Sequence, residues 1–382
     1  MTNNDHLNIL VIEDSPTTMK MVEIWLADGL DSSYSMKPAE DLADGLKILA
    51  EDDIDVIVLD LNLPDSEGLN TFYAVRNKCG EVPIVIMSGD RDEEKAVTAV
   101  REGAQDYVLK GTIDSNQLTR PLRFAIERTR RQRAERELRK TQEQVFLARV
   151  VQQGLFPDDA TGIPGLDMAG RCEPAESTGG DYYDFVPMFG NKWGVVVGDV
   201  SGHGLPAALF MIGARAVLRA LTTSFGDVGV IINRMNLVLE NDLAEKGKFM
   251  TLCLLRVDPQ GKSLRFASAG HPGFIFDSAG ELKKILEADY PPIGVVLDAE
   301  FGSSSDINLD SGDLLLLHTD GVTEYVNGSD DMYPRQRLHD VIKNHRHVSA
   351  PEIVDAVFED LKSFADGAVQ EDDITVVVVK CE

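Results

Sequence analysis

The sequence predicts two folded domains of different class. The first is an α/β domain on a doubly wound parallel sheet, the second an α+β domain built as a β-sandwich flanked by helices, and a long helix joins them. Three observations carry this. Residues 7–114 alternate short apolar runs with amphipathic stretches, the pattern of buried parallel strands and covering helices. From Ser115 to Leu155 the chain is rich in Arg, Glu, Gln, Ala and Leu and holds no Gly before Gly154, the composition of one continuous helix. After Gln153-Gly154-Leu155-Phe156-Pro157 it turns to Gly, Asp and alternating β-branched runs, which read as strands. The boundaries are 1–114, 115–155 and 156–382.

Composition narrows the function. A length of 382 residues with 43% hydrophobic content suits two or three domains with ordinary cores, and excludes wholesale disorder or a fibrous chain. The 37 Lys and Arg against 64 Asp and Glu leave a net charge of -27, which disfavours a sequence-independent grip on nucleic acid and favours capture of divalent cations. Cys79, Cys172, Cys253 and Cys381 are scattered without a CxxC pair, so buried free thiols in a reducing cytosol are expected rather than disulfides or zinc. Met1 to Asp14 lacks a basic n-region, and the apolar stretch Leu7 to Ile12 is too short to span a bilayer. The expectation is a cytoplasmic protein without a membrane anchor.

In the first domain, Leu7 to Ile12, Val56 to Leu59, Pro83 to Met87 and Asp106 to Leu109 read as buried parallel strands, with helices such as Thr17 to Ala27 and Glu93 to Glu102 between them. Ligands of a doubly wound sheet sit at the carboxyl ends of its strands. Those ends carry Glu13-Asp14, Asp60, Ser88 and Lys110. Asp14 and Asp60 suit Mg²⁺, Asp60 is placed to attack phosphorus, and Lys110 and Ser88 suit phosphoryl oxygens.

The connecting helix is the basic part of an acidic chain. From Arg120 to Arg149 there are ten Lys or Arg and four Asp or Glu, a local +6 that leaves -33 on the rest. Phe124, Ala134, Leu138, Val145, Ala148 and Leu155 fit a heptad seam, interrupted by Glu127, Arg131, Thr141 and Gln152. Two readings stand: a weak, partly polar coiled coil, or a solvated connector whose basic face rests on acidic neighbours.

In the second domain, Trp193 to Val197, Thr251 to Val257, Leu264 to Ala267, Leu314 to Leu317 and Ile374 to Val379 read as strands, and Leu205 to Thr222, Val228 to Asp242 and Ala350 to Phe364 as helices. Acids recur beside glycine or at strand ends, in Gly179-Gly180-Asp181-Tyr182-Tyr183-Asp184, Gly198-Asp199-Val200-Ser201-Gly202-His203-Gly204, Thr319-Asp320-Gly321 and Glu371-Asp372-Asp373-Ile374-Thr375. Carboxylates crowded in a cleft repel unless cations neutralise them. A pair of Mg²⁺ or Mn²⁺ ions explains the clustering, and such a pair activates water for in-line attack on a phosphoester. His203, His271 and His318 lack metal-ligand spacing and are read as packing or loop-ordering residues.

Residues 5–120 resemble a response-regulator receiver domain, through Val11-Ile12-Glu13-Asp14, Leu59-Asp60-Leu61-Asn62-Leu63-Pro64-Asp65 with Gly68, Met87-Ser88-Gly89, and Gly103-Ala104-Gln105-Asp106-Tyr107 leading to Lys110. The resemblance implies a five-stranded sheet and phosphorylation of Asp60 by a histidine kinase or phosphotransfer protein. It further implies Mg²⁺ on Asp14, Asp60 and the Asn62 carbonyl with Glu13 in support, and a switch formed by Ser88, Tyr107 and Lys110. Glu13 stands where Asp is usual, and Gly111 where Pro is usual.

Residues 145–380 are similar to the sporulation-phosphatase and sigma-regulator branch of the metal-dependent protein phosphatase (PPM) family. The four acid motifs match in order, together with Gln152-Gln153-Gly154-Leu155-Phe156-Pro157, Ala269-Gly270-His271-Pro272 and the extension of the third to Val322-Thr323-Glu324. This implies hydrolysis of phosphoserine or phosphothreonine, with Asp181 and Asp199 bridging two metal ions and the Val200 carbonyl, Asp320 and Asp372 completing the shell. Asp372 is preferred to Asp373 because the first acid of the pair matches the family ligand. Arg171 is a candidate for holding the substrate phosphate.

The combined expectation is a cytoplasmic response regulator, dimeric through its helix, whose phosphatase output acts on an anti-sigma-factor antagonist. A non-catalytic adaptor that binds a sigma factor or anti-sigma factor is the main rival, disfavoured because Asp181, Asp199, Asp320 and Asp372 are all retained. A DNA-binding regulator is disfavoured because no helix-turn-helix pattern follows the first domain.

Overall fold

The computed structural model describes residues 6–89, 93–111, 113–157, 163–258 and 262–382. The chain divides into two compact units, Met1–Thr141 and Gln142–Glu382.

The first unit runs β1 (Leu7–Ile12), α1 (Pro16–Gly29), β2 (Tyr34–Ala39), α2 (Leu42–Glu51), β3 (Val56–Leu59), a two-residue hairpin β4 (Asn62–Leu63) and β5 (Ser66–Glu67), α3 (Leu69–Lys78), β6 (Ile84–Ser88), α4 (Glu93–Arg101) and β7 (Asp106–Leu109). Its five-stranded sheet has the order β2-β1-β3-β6-β7 and every pairing is parallel. Alternate residues of each strand feed two cores. Leu10, Ile12, Ile57, Leu59 and Ile86 meet Phe72 and Val75 of α3 and Ala99 of α4. On the other face Ile9, Val11, Val58, Val85 and Met87 meet Val22 and Leu26 of α1, with Leu118 and Leu122 further along the chain. Burial on both faces makes these strands continuous apolar runs, and each fully buried Val, Ile or Leu contributes about 1.5–3 kcal/mol. The sequence reading omitted β2, whose Lys37 and Pro38 break the apolar pattern. β2 is an edge strand paired with β1 alone, where a missing N–H costs no ladder bond.

Helix α5 (Ser115–Gln153) is continuous over 39 residues and links the two units. Its basic middle is exposed. Arg131 pairs with Glu135 at 2.8 Å, Arg133 lies 3.7 Å from Glu81, and Arg136 also pairs with Glu81, so part of the basic face does rest on an acidic neighbour. Val145 and Ala148 of the predicted seam are half-buried, while Phe146, Leu147, Val150 and Val151 are exposed.

The second unit runs β8 (Leu166–Glu173), β9 (Tyr182–Met188), β10 (Lys192–Val200), α6 (Gly204–Thr222), α7 (Val228–Glu245), β11 (Met250–Asp258), β12 (Ser263–Ala269), β13 (Gly273–Phe276), β14 (Leu282–Leu286), β15 (Ile307–Asn308), β16 (Leu314–His318), α8 (Asp320–Thr323), α9 (Arg335–His345), α10 (Ala350–Ala365) and β17 (Ile374–Cys381). Two antiparallel sheets, β15-β12-β11-β10-β9 and β14-β13-β16-β17-β8, form the sandwich. Val195, Val197, Leu255, Leu315, Val377 and Val379 fill the space between them. α6 and α7 cover the first sheet, and α9 and α10 cover the second. α6 is, among the described residues, the one helix long and apolar enough to cross a membrane by length and composition. Its Ala207, Ala208, Met211, Ala214 and Leu218 are instead buried in the core against the first sheet. The reading of the sequence missed β8 and β9, which carry charged residues on the faces turned to the helices. The four cysteines are free, with Cys79, Cys253 and Cys381 buried.

Candidate active site

The first unit gathers its acids at the carboxyl ends of the central strands. Glu13 and Asp14 follow β1, Asp60 follows β3, and carboxylate oxygens of the three lie within 4.8 Å of one another. Glu13 and Asp60 are buried, Asp14 is exposed. The Lys110 Nζ, one residue past β7, reaches across to Asp60 at 2.5 Å and Glu13 at 2.6 Å. Burial pushes the Glu13 carboxyl up, with Lys110 working against the rise. Burial also works against the Lys110 ammonium, but Asp60 and Glu13 outweigh it and hold its pKa above the ordinary value. The Asn62 main-chain N–H donates to Asp60 at 3.1 Å. Ser88 is fully buried at the end of β6, and Tyr107 packs against the core that α3 and α4 cover. Three carboxylates beside one lysine, with one acid open to solvent, fit a hard cation such as Mg²⁺.

In the second unit each sheet contributes two of the predicted metal ligands. Asp181 immediately precedes β9 and Asp199 lies near the end of β10, on neighbouring strands whose register pairs Tyr182 with Gly198. Asp320 opens α8 after β16, and Asp372 precedes β17, the pair of strands that align His318 with Val376. Asp181 is buried and its Oδ2 accepts two hydroxyls, Thr319 at 2.8 Å and Thr375 at 2.6 Å. Burial, then repulsion from Asp199, push the Asp181 carboxyl well up. Burial together with repulsion from Asp320, Asp372 and Asp373 brings Asp199 up to about 7. Asp320 is raised by burial and by Asp372. Carboxylates that raise one another in this way suit neutralisation by cations, although among the described residues the group of three acids whose oxygens lie within 4.8 Å of one another is Glu13, Asp14 and Asp60 of the first unit.

Glycines let the loops close on this cleft. A Cβ on Gly180 would sit 2.4 Å from the Val200 carbonyl oxygen, and one on Gly321 would sit 2.0 Å from that of Asp373. Asp373 itself faces inward, accepting the Ala175 N–H at 2.8 Å and the Gly180 N–H at 2.7 Å. It latches the loop before Asp181, a role the sequence reading did not identify. Asp184, in the same motif as Asp181, is turned to α6 and takes Arg219 at 2.6 and 2.7 Å and the Tyr182 hydroxyl at 2.8 Å. His271 and His318 are buried and their pKa values fall to about 3 and about 4 through desolvation, consistent with packing roles. His203 pairs with Glu176 at 2.8 Å.

Arg171 is placed away from the acids. It stands over the Phe358 ring of α10 at 4.4 Å and pairs with Glu173 and with Asp355. Its neighbour Cys172 points the other way, toward Asp181 and Thr375. Alternation along β8 therefore turns Arg171 to the helix-covered face.

A doubly wound acid pocket, a linking helix and a two-sheet sandwich have the architecture of a receiver joined to a PPM-type domain. Residues 9–123 match the response regulator receiver domain, and residues 190–382 match stage II sporulation protein E (SpoIIE). The chain belongs to the SpoIIE family. Asp199, Asp320 and Asp372 fall inside the matched segment, and Asp181 lies just before it. Among curated relatives, Protein IcfG of Synechocystis sp. is 30% identical over 258 residues, covering 60% of this chain but 40% of IcfG. Phosphoserine phosphatase RsbU of Bacillus subtilis is 28% identical over 238 residues, covering 62% of this chain and 70% of RsbU. The solved SiaA-PP2C domain of Pseudomonas aeruginosa shares the fold, with a TM-score of 0.57 at 24% identity over 64% of this chain and 99% of that domain.

Proposed function

We propose that this protein is a cytoplasmic response regulator whose receiver controls a metal-dependent phosphoserine/phosphothreonine phosphatase. The observation that carries the reading is the presence in one chain of two acid sites with different partners. Asp60 is neutralised by a lysine at 2.5 Å, whereas burial together with repulsion from Asp320, Asp372 and Asp373 raises Asp199 to about 7. The first arrangement suits a phosphoacceptor, and the second suits two divalent cations.

In the receiver, a histidine kinase or phosphotransfer protein supplies the phosphoryl group to Asp60. Glu13, Asp14, Asp60 and the Asn62 carbonyl hold Mg²⁺, Lys110 pairs with the phosphoryl oxygens, and Ser88 and Tyr107 read the change. In the phosphatase, Asp181, Asp199, the Val200 carbonyl, Asp320 and Asp372 hold two Mn²⁺ or Mg²⁺ ions. Those ions, when bound, neutralise the cleft and activate water for in-line attack on phosphorus. Thr319 and Thr375 fix the Asp181 carboxylate, and the latch at Asp373 fixes the backbone leading to it. The substrate is a phosphorylated protein, an anti-sigma-factor antagonist in a partner switch, and the protein works as a homodimer.

The test is Mn²⁺-dependent release of phosphate from a phosphoserine protein by wild type, Asp199→Asn and Asp60→Ala, with and without a phosphoryl mimic on the receiver. Hydrolysis by wild type that is lost in Asp199→Asn and responds to the mimic through Asp60 supports both halves. Equal activity of wild type and Asp199→Asn overturns the metal assignment. An inert wild type with all four acids in place favours the adaptor reading.

A further inference from the structure

We propose that Gln152, in the last turn of α5, is a positioning residue for the metal centre, and that it is the contact through which the linking helix sets the place of Asp181. This rests on the metal-dependent reading above.

Gln152 is 4% exposed, although α5 is solvated along most of the preceding stretch. Its side-chain amide grips both main-chain groups of one residue. Nε2 donates to the Gly179 carbonyl at 2.7 Å, and Oε1 accepts the Gly179 N–H at 3.1 Å. A buried primary amide that satisfies both the N–H and the C=O of one residue ties down the two peptide planes that meet there.

Gly179 is a constrained point on the path to the site. A Cβ there would lie 2.3 Å from the Asp373 carboxylate, so the residue is held between Gln152 on one side and Asp373 on the other. The next residue, Gly180, donates to Asp373 at 2.7 Å and its carbonyl accepts the Val200 N–H at 3.3 Å. Asp181 follows directly. Three clamps thus hold this loop, one each from α5, β17 and β10. The clamps from β10 and β17 sit beside assigned ligands, Asp199 with Val200 on one strand and Asp372 before the other. The clamp from α5 comes from a helix that supplies no ligand, so positioning is the function left to it. Immediately beyond α5, Phe156 stacks on Tyr183 at 5.2 Å. That contact anchors the junction to the core through a β9 side chain, which makes it the natural control.

The experiment uses the full chain and reads Mn²⁺ affinity by calorimetric titration beside thermal melting, for wild type, Gln152→Met, Gln152→Glu and Phe156→Leu. Gln152→Met keeps the volume and removes both hydrogen bonds. It should weaken Mn²⁺ binding about tenfold or more, in the range seen when groups supporting a metal ligand are lost. Gln152→Glu keeps one acceptor and serves if the Met variant does not fold; it should also weaken binding. Phe156→Leu should lower the melting temperature yet leave Mn²⁺ affinity within about twofold. Wild-type affinity in both Gln152 variants, or equal weakening by Phe156→Leu, would overturn the positioning role while leaving the metal site intact. Failure of wild type to bind Mn²⁺ would instead overturn the functional reading and this inference with it.

Discussion

Asp372 and Asp373 are adjacent acids with opposite predicted effects, and separating them tests how the site is built. Asp373→Ala should destabilise the second unit by about 3 kcal/mol, whereas Asp372→Ala should leave it within about 1 kcal/mol. Asp373 is 2% exposed and accepts two backbone N–H groups, from Ala175 at 2.8 Å and Gly180 at 2.7 Å. Hydrogen bonds to a charged acceptor contribute about 1.5–3 kcal/mol each, so the pair amounts to roughly 3–6 kcal/mol. Burial of the carboxylate, which pushes its pKa up, offsets part of this, and the Ala variant is relieved of that cost. The remainder, about 3 kcal/mol, corresponds to a fall in Tm of roughly 6–12 °C for a unit of this size. Asp372 is exposed and accepts one N–H, from Asp373 at 2.8 Å. Its removal also relieves the repulsion it exerts on Asp199 and Asp320, so the two small terms oppose each other. Melting in EDTA measures the stability half. Mn²⁺-dependent hydrolysis measures the other half, and Asp372→Ala should lose about a hundredfold or more. The reasoning fails if Asp373→Ala melts like wild type yet abolishes Mn²⁺ binding, since Asp373 would then be the ligand and not the latch.

Other perturbations probe separate links. Asp184→Ala strips a fully buried carboxylate from Arg219 and the Tyr182 hydroxyl; a loss of about 3–5 kcal/mol is expected in urea unfolding, and a loss under about 1 kcal/mol would show that α6 does not depend on this pair. Gly321→Ala drives a Cβ to 2.0 Å from the Asp373 carbonyl, so the start of α8 must move; Mn²⁺ affinity should fall about tenfold or more, and wild-type affinity would contradict the close packing. For His271, burial lowers the pKa from 6.5 to about 3. The unfolded chain therefore takes up a proton that the folded chain refuses, and the stability present above pH 6.5 is lost as pH falls toward 3. That amounts to about 2 kcal/mol between pH 7 and pH 5. The raised carboxylates of Asp181 and Asp199 act with the opposite sign, so the readout is the stability gap between wild type and His271→Gln. The gap should narrow by about 2 kcal/mol at pH 5, and a constant gap would contradict a neutral buried imidazole.

What could be read from the sequence follows from the range of the forces involved. The parallel strands are apolar on both faces, so β1, β3, β6 and β7 appear as runs, and the acids at their carboxyl ends stand out. β2 is hidden because an edge strand can carry Lys37 and Pro38. Asp199 and Asp320 are legible for the same reason as Asp60, each lying at the end of an apolar strand. The supports of Asp181 were not legible, although Thr319 and Thr375 lie inside recognised motifs. Their hydroxyls meet Asp181 from 138 and 194 residues away, through a pairing of β16 with β17 that no local pattern encodes. Arg171 shows the complementary limit: the structure turns it to Phe358, Glu173 and Asp355. Its type suited phosphate, but without recognising β8 there was no alternation to show that Cys172, not Arg171, turns toward the acids.

The linking helix gains meaning from these distances. Arg136 pairs with Glu81 in the first unit, and Gln152 grips Gly179 in the second. The Gln152 grip lies wholly within the second unit, which begins at Gln142. A hydrogen bond of 2.7 Å loses most of its strength when its partners part by about 1 Å. A slide of one residue along the helix axis, about 1.5 Å, is therefore enough to release Gly179. Burial, then repulsion from Asp199, push the Asp181 carboxyl up, so the loop that carries it depends on its clamps. Under the proposed control of the phosphatase by the receiver, Gln152→Met should leave Mn²⁺ affinity indifferent to a phosphoryl mimic on Asp60, read by calorimetric titration with and without the mimic; an unchanged response would show that the signal takes another route.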